Sequence, residues 1–120
     1  MSQNQQSGQI GERLASEYLK KQNYTIIATN WRCPRGEIDI IAGRNEGIIF
    51  IEVRTRHAET TEASFESVNR AKQRKLIASA QLYLQAHNLE NHTWRIDVIA
   101  IALPRSGDPL IDHLENALDW

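Results

Sequence analysis

Apolar residues recur at helical spacing in two stretches of the chain, with polar residues on the other side of each stretch. The first stretch runs from Gln9 to Gln22, and the second runs from about Val68 to His87. Apolar positions three and four residues apart lie on one side of a helix, so the pattern predicts two amphipathic helices. Their predicted buried stripes are Ile10, Leu14, Ala15, Tyr18 and Leu19, and then Leu76, Ile77, Ala80, Tyr83 and Leu84.

Four other segments are rich in β-branched and aromatic residues, which predicts strands over residues 24–31, 37–42, 48–56 and 93–103. A turn at residues 32–36 joins the first two strands, and a four-residue hairpin loop at 44–47 joins the second and third. The last strand is apolar enough to lie in the centre of a sheet. The polar residues 57–64 are predicted to form a mobile loop.

The end of the chain predicts a short amphipathic helix at about residues 110–119, because its apolar residues are Leu110, Ile111, Leu114 and Leu118. The full order is helix, three strands, helix, strand and helix. This order predicts an α/β fold with a mixed sheet. The length suits one domain over residues 1–120, with a core at about 9–103.

Composition narrows the class of protein. The chain has 120 residues, of which 41% are hydrophobic and 24% are charged, an ordinary globular mix. Its longest apolar run, Val98 to Leu103, is too short to span a bilayer, so no membrane contact is expected. The one cysteine, Cys33, cannot form an internal disulfide, which fits a reducing compartment. A cytoplasmic protein is therefore expected.

The net charge of −1 conceals a basic block between residues 32 and 75. The block contains Arg32, Arg35, Arg54, Arg56, Arg70, Lys72, Arg74 and Lys75. Such a block can face the phosphates of nucleic acid. The alternative is a solvated surface with no ligand, and charge alone favours that alternative.

The predicted hairpin brings two acidic residues together. If Gly43 pairs with Ile48, the register places Asp39 opposite Glu52 and places Glu37 opposite Arg54. Directly opposed side chains are about 5 Å apart, and like charges at that distance repel. A hard cation such as Mg²⁺ relieves this repulsion, since it binds one or two carboxylates and completes its shell with waters and phosphates. The alternative is a half-exposed hairpin whose polar face carries acids without a metal.

The residues of this hairpin resemble a nuclease signature. Gly36-Glu37-Ile38-Asp39 followed by Phe50-Ile51-Glu52-Val53-Arg54-Thr55-Arg56 resembles the PD-(D/E)xK pattern. A closer resemblance is to the YraN-like family of uncharacterised bacterial proteins, which is similar to archaeal Holliday-junction resolvases. The resemblance covers roughly residues 8–103, and its further matching pieces are residues 11–15, Val68 with Lys72-Gln73, and residues 95–98.

The resemblance implies a restriction-endonuclease-like three-layer sandwich, in which helices flank a mixed central sheet. It also implies an endonuclease that depends on Mg²⁺ or Mn²⁺ and hydrolyses phosphodiester bonds, with branched or structured DNA as the expected substrate. The resolvase-like relatives suggest a homodimer. The alternative is a catalytically inactive module on the same fold that binds nucleic acid or another protein.

Individual roles follow from the same resemblance. Asp39 and Glu52 match the metal-binding carboxylates, and the carbonyl of Val53 would add a ligand. Glu12 matches a glutamate on the first helix that joins the site. Gln73 matches a polar position on the second helix near the site, and its alternative is a solvent-facing residue. The residues expected to contact nucleic acid are Arg32, Arg35, Arg56, Arg70, Lys72 and Lys75.

One position departs from the signature, because Arg54 stands where the family pattern usually has lysine. That lysine is thought to position the attacking water and to stabilise charge on the phosphate. Arginine can stabilise the phosphate through its bidentate fork, but it does not readily lose a proton. Lys72 or Lys75 could supply an amine from the second helix. Alternatively, Arg54 simply pairs with Glu37.

Overall fold

A five-stranded mixed sheet lies between two layers of helix in the computed structural model, which describes residues 3–118. The strands follow one another across the sheet in chain order, so each strand has its sequence neighbour beside it. The elements are α1 (Gln3–Lys21), β1 (Thr25–Cys33), β2 (Gly36–Arg44), β3 (Gly47–Arg56), α2 (Glu62–Glu66), α3 (Arg70–Ala86), β4 (Trp94–Ala102) and β5 (Leu110–Leu114).

Strand direction follows from the connections. β1, β2 and β3 form an antiparallel meander, whereas β3 and β4 are parallel. A parallel neighbour requires a long crossover, which α2 and α3 provide. β4 is flanked by β3 and β5, so the prediction that it lies inside the sheet is confirmed. The prediction of a mixed α/β fold is confirmed as well.

The turn between β2 and β3 is tighter than predicted. Arg44 pairs with Gly47, which leaves a turn of two residues, Asn45 and Glu46. Both have positive φ, 52° and 65°, as a type I′ turn requires. The predicted pairing of residues 43 and 48 is nevertheless correct, because shortening the loop by one pair leaves the register unchanged.

Each face of the sheet buries its own hydrophobic cluster. On one face α1 contributes Ala15 and Leu19 to a cluster centred on isoleucines of β2, β3 and β4. On the other face α3 contributes Leu76 and Leu84 to a cluster that contains Phe50. Alternate residues of a strand point to opposite faces, so β3 supplies both clusters. The result is three layers with helices on both sides of the sheet.

The predicted C-terminal helix is wrong. Residues 110–114 form β5, antiparallel to β4, and residue 119 lies outside the described residues. Ile111 and His113 are partly buried, whereas Leu110, Asp112 and Leu114 are exposed, which is the two-residue period of a strand. The apolar spacing fits either a helix or a strand. The strand forms because the unpaired edge of β4 offers backbone hydrogen bonds to it.

Two other boundaries differ from the predictions. α1 begins at Gln3, before the predicted start at residue 9, although the extra residues are polar. Part of the predicted loop at 57–64 folds into the start of α2, where buried Ser64 donates a hydrogen bond to the carbonyl of Ile101 at 3.1 Å. Among the helices described for residues 3–118, none is long and apolar enough to cross a membrane.

Candidate metal centre

Asp39 and Glu52 meet where β2 and β3 begin to separate. The last pair of the described ladder is Ile40 with Ile51, and the two acids come next in the same register. The backbone N–H of Val53 donates a 2.8 Å hydrogen bond to Oδ2 of Asp39, and Asp39 also hydrogen-bonds to Glu52. Glu52 is almost fully buried, with 1% of its surface exposed. The structure therefore brings these two predicted site residues into contact.

Two carboxyl groups in this position perturb each other. Burial, followed by the negative charge of Glu52 and the hydrogen bond with it, raises the pKa of Asp39 to about 8. The Val53 amide lowers the pKa, but by less than the other contributions raise it. A carboxyl group with such a pKa holds a proton at neutral pH. This proton relieves the repulsion between the two carboxyl groups.

Two cations contact the same oxygen of Glu52. Nη1 of Arg54 and Nζ of Lys72 each lie 3.3 Å from Oε2. Arg54 is further fixed because its Nε donates a 2.7 Å hydrogen bond to Oγ of Ser67. Residues 52 and 54 share one face of β3, so Arg54 reaches its neighbour along the strand.

The alternative in which Arg54 simply pairs with Glu37 does not describe the structure, because the described partners of Arg54 are Glu52 and Ser67. Glu37 instead lies 3.8 Å from Arg32, and both side chains of this pair are exposed to solvent. The physical reason is the difference in burial between the two acids. A buried carboxylate such as Glu52 must have a charged partner, whereas water solvates Glu37.

Glu12 approaches the pair from α1. An ideal Cβ on the preceding residue, Gly11, would lie 1.8 Å from Oγ1 of Thr55, so only glycine lets the helix pack this closely on β3. Burial raises the pKa of Glu12, a hydrogen bond from Asn30 lowers it, and the charge of Glu52 raises it further. Glu12 therefore shares the electrostatic environment of the acidic pair, where the resemblance placed it.

Gln73 has a different environment from the one expected. Its side-chain amide donates a 3.2 Å hydrogen bond to the carbonyl of Val68, just before α3. The side chain is half-buried, so the solvent-facing alternative does not describe it either. The described hydrogen bond closes the loop that leads into α3 and does not reach the carboxylates. The preceding residue, Lys72, is the one that contacts Glu52.

Part of the predicted basic face converges beside the acidic pair. Arg32, Lys72 and Lys75 line a cavity of about 400 Å³ between the β1–β2 turn and α3. Arg35 is exposed in that same turn, and Arg70 is exposed at the start of α3. The exception is Arg56, whose described hydrogen bond goes to the adjacent Thr55 carbonyl at the exposed end of β3.

The donor set fits an open magnesium or manganese centre. Among residues 3–118, no three His, Cys, Asp or Glu side chains are grouped closely enough to hold a metal ion by themselves. Mg²⁺ does not need such a cage, because waters and substrate phosphates complete its shell around one or two carboxylates. Asp39 and Glu52 supply those carboxylates. The carbonyl of Val53 stays a prediction, although the amide of this residue already lies at the site.

Sequence reasoning missed two residues of this region. Ser67 anchors the guanidinium of Arg54, and Asn30 lowers the pKa of Glu12. No spacing rule points to Ser67. Asn30 did carry a signal, because asparagine is disfavoured in strands and yet interrupts a segment rich in β-branched and aromatic residues.

Asp97, which lies in one of the segments matched to the family, belongs to a separate network. This fully buried carboxylate accepts hydrogen bonds from Arg95 at 2.9 Å, His113 at 2.7 Å and the backbone N–H of Asn116 at 2.9 Å. Burial alone would raise the pKa of Asp97, but these hydrogen bonds outweigh it and lower the pKa. His113 also hydrogen-bonds to the Tyr18 hydroxyl of α1. The network fastens β5 to β4 and α1.

Comparison with known proteins gives one consistent result. Residues 11–101 match the uncharacterised protein family UPF0102. A UPF0102 protein of Chloroflexus aurantiacus is 48% identical over 107 residues, which cover 88% of this chain and 85% of the relative. A UPF0102 protein of Dehalococcoides mccartyi is 43% identical over 94% of this chain and 93% of its own length. A third, from Stutzerimonas stutzeri, is 38% identical over 99% of both chains. The chain therefore belongs to the uncharacterised protein family UPF0102.

Proposed function

We propose that this protein is a metal-dependent nuclease with a restriction-endonuclease-like fold, and that it hydrolyses phosphodiester bonds of nucleic acid. The contact between Asp39 and Glu52 carries the proposal. Two carboxyl groups are held together beside buried strands, where burial and then their mutual contact raise the pKa of Asp39 to about 8. This arrangement destabilises the fold when both groups are ionised, and carboxyl pairs perturbed in this way are concentrated at functional sites. A divalent cation bound by both groups would remove their repulsion.

The three-layer architecture supports the same proposal. The acidic pair lies on a hairpin whose second strand, β3, is parallel to β4 through a helical crossover. α1 packs on one side of this hairpin and α3 on the other. The centre is therefore reached by side chains from both helical layers. Glu12 comes from α1, and Lys72 comes from α3.

When bound, Mg²⁺ or Mn²⁺ would polarise the scissile phosphate and lower the pKa of a bound water. Asp39 and Glu52 would hold the ion, which requires that the shared proton leave. Lys72 would then be free to turn from Glu52 towards the substrate, because the metal neutralises the carboxylate in its place. Arg54 remains held by Ser67 and is suited to a fixed contact with a phosphate oxygen.

Lys72 is the residue that supplies the amine missing at position 54. Its Nζ lies at the same distance from Glu52 as the Arg54 guanidinium. An amine on a flexible stem can orient a water and donate a proton, whereas a guanidinium is restricted to charge stabilisation. Lys72 would therefore have two roles: supplying the amine and making the contact with nucleic acid that the basic block predicts for it.

Nucleic acid fits the surface beside the centre. The cavity lined by Arg32, Lys72 and Lys75 also contains Glu37, which pairs with Arg32, and it adjoins Glu52 through Lys72. A phosphate next to the scissile one would therefore meet a net positive charge. The choice of branched or structured DNA as the substrate rests on the resemblance to resolvases alone.

A second candidate is an inactive module on the same fold, which binds nucleic acid or a protein without cutting. The observation in its favour is the pairing of Glu52 with both Arg54 and Lys72. Two cations neutralise this buried carboxylate without a metal ion. In that case the raised pKa of Asp39 would be a cost of packing with no role in function.

Single-turnover cleavage of branched and duplex DNA with Mn²⁺ separates the two candidates. The nuclease proposal expects cleavage by the wild-type protein and none by Asp39→Asn. Lys72→Met should slow cleavage by about a hundredfold or more, the usual contribution of acid–base catalysis. Arg54→Lys in the Lys72→Met background returns an amine to the site and should recover part of the rate. Binding of DNA without cleavage by any of these proteins would favour the inactive module.

A further inference from the structure

Three of the predicted nucleic-acid contacts surround the cavity of about 400 Å³ beside the acidic pair. Arg32 comes from the end of β1, whereas Lys72 and Lys75 come from α3, where a spacing of three residues places them on one side of the helix. Glu37 lines the same cavity and lies 3.8 Å from Arg32. Three cations and one carboxylate give the lining a net charge of +2. The lining therefore favours a ligand with two negative charges.

The wall of this cavity has no side chain at Gly36. An ideal Cβ on Gly36 would lie 3.2 Å from Oγ of Ser79 and 3.8 Å from Cβ of Lys75. The Ser79 hydroxyl is fully buried, and it has no hydrogen-bond partner among residues 3–118. Buried polar groups without a partner are uncommon, and an ion that binds beside them is one of the recognised explanations. The hydroxyl is therefore available to a ligand that enters the space beside Gly36.

A terminal phosphate group has the charge and the oxygens that this lining can bind. A phosphomonoester carries about −1.5 to −2 charges at pH 7, whereas each phosphodiester within a strand carries one. Its three free oxygens suit cations that approach from β1 and from α3. Lys75 borders both the cavity and the space beside Ser79, and movement of its flexible side chain would let a phosphate oxygen reach the hydroxyl.

We propose that this cavity binds the terminal phosphate of a nucleic-acid strand, held by the three cations and the Ser79 hydroxyl. The inference rests on the proposed function, because it takes nucleic acid as the ligand. Nζ of Lys72 lies 3.3 Å from Glu52, so a strand end bound here would lie beside the acidic pair. The substrate class is then a strand that ends in a phosphate close to the bond that is cut.

Binding of three labelled oligonucleotides tests the site without metal or cleavage. The same single-stranded DNA carries a 5′-phosphate, a 3′-phosphate or no terminal phosphate. Its affinity is measured by fluorescence anisotropy in EDTA at one salt concentration. The wild-type protein should bind one phosphorylated strand about tenfold or more tightly than the unphosphorylated strand, as expected for hydrogen bonds to a charged group. The end that is preferred gives the direction in which the strand enters the cavity.

Two pairs of variants locate the phosphate. Lys75→Met and Arg74→Met each remove one positive charge from α3, but Lys75 lines the cavity whereas Arg74 is exposed outside it. Lys75→Met should reduce the preference for the terminal phosphate, and Arg74→Met should weaken binding of all three strands by the same factor. Ser79→Ala and Thr55→Val each remove a buried hydroxyl without a partner among the described residues, so both should melt at or above the wild-type temperature. Only Ser79→Ala should reduce the preference.

The outcomes separate this inference from the proposed function. Equal affinity of the wild-type protein for the three strands would overturn the terminal-phosphate site and leave the nuclease proposal intact. A preference that survives in both Lys75→Met and Ser79→Ala would also overturn it, and a preference lost in only one of them would remove the other residue from the site. A preference without any cleavage in Mn²⁺ would contradict only the nuclease activity. Failure to bind any strand would contradict both proposals.

Discussion

Replacing Asp39 with asparagine should make the protein more stable at neutral pH while removing its metal site. The asparagine carbonyl can still accept the hydrogen bond from the Val53 amide, and its NH₂ group can donate to Glu52. The variant therefore keeps the contacts of protonated Asp39 without requiring a proton.

The size of the effect follows from the pKa of Asp39, which rises from 3.8 to about 8 on folding. Because the folded state holds a proton that the unfolded state has released, the free energy of unfolding falls as the pH rises from about 4 to about 8. Each pH unit in this window corresponds to about 1.4 kcal/mol. At pH 7 the loss is on the order of 4 kcal/mol relative to pH 4, and Asp39→Asn should avoid it.

Urea denaturation followed by tryptophan fluorescence at pH 4.5 and pH 8 would measure the difference. The two proteins should have similar stability at the lower pH, and Asp39→Asn should be more stable at the higher pH. Saturating Mn²⁺ should then stabilise the wild-type protein at pH 8 and leave the variant unchanged. Equal stability of the two proteins at both pH values would refute the coupling of Asp39 with Glu52.

Three further predictions concern packing and charge. Asp97→Asn should lower the free energy of unfolding by about 3–5 kcal/mol at pH 7, because two basic partners lose their buried carboxylate. The pKa of Asp97 is lowered by folding, so this loss should shrink as the pH falls below about 4, and a constant loss in urea denaturation would contradict it. Gly11→Ala should destabilise the fold by about 1–3 kcal/mol through the clash with Thr55, and an unchanged melting temperature would disprove the close packing. Charge reversal at Arg32 and Lys75 should weaken DNA binding and reduce the slope of log K against log salt by about 2, whereas an unchanged slope would remove these residues from the interface.

The hairpin was predictable because its register depends on local chemistry. Gly43 and Ile48 pair as expected, and this pairing alone places Asp39 next to Glu52. The predicted loop was two residues too long, but this error did not change the strand register. Shortening an antiparallel loop symmetrically preserves every later pair. The side of the sheet on which each acid lies was therefore fixed by the strand period.

Contacts between distant elements were not predictable in the same way. The approach of Lys72 to Glu52 depends on how α3 crosses the sheet, which residue spacing does not specify. The partner of Arg54 could not be chosen for a similar reason, because only the burial of Glu52 decides which acid pairs with the arginine. The strand β5 was mistaken for a helix because its apolar spacing fits both periods.

Calorimetric titration of Mn²⁺ into the wild-type protein and into Asp39→Asn tests the central claim most directly. The wild-type protein should bind the metal and release protons as it does so, because the proton on Asp39 must leave. Proton release appears as a binding heat that changes with the ionisation enthalpy of the buffer. Asp39→Asn should bind weakly or not at all. Equal affinity in both proteins, or no binding by the wild-type protein, would contradict a metal centre at Asp39 and Glu52.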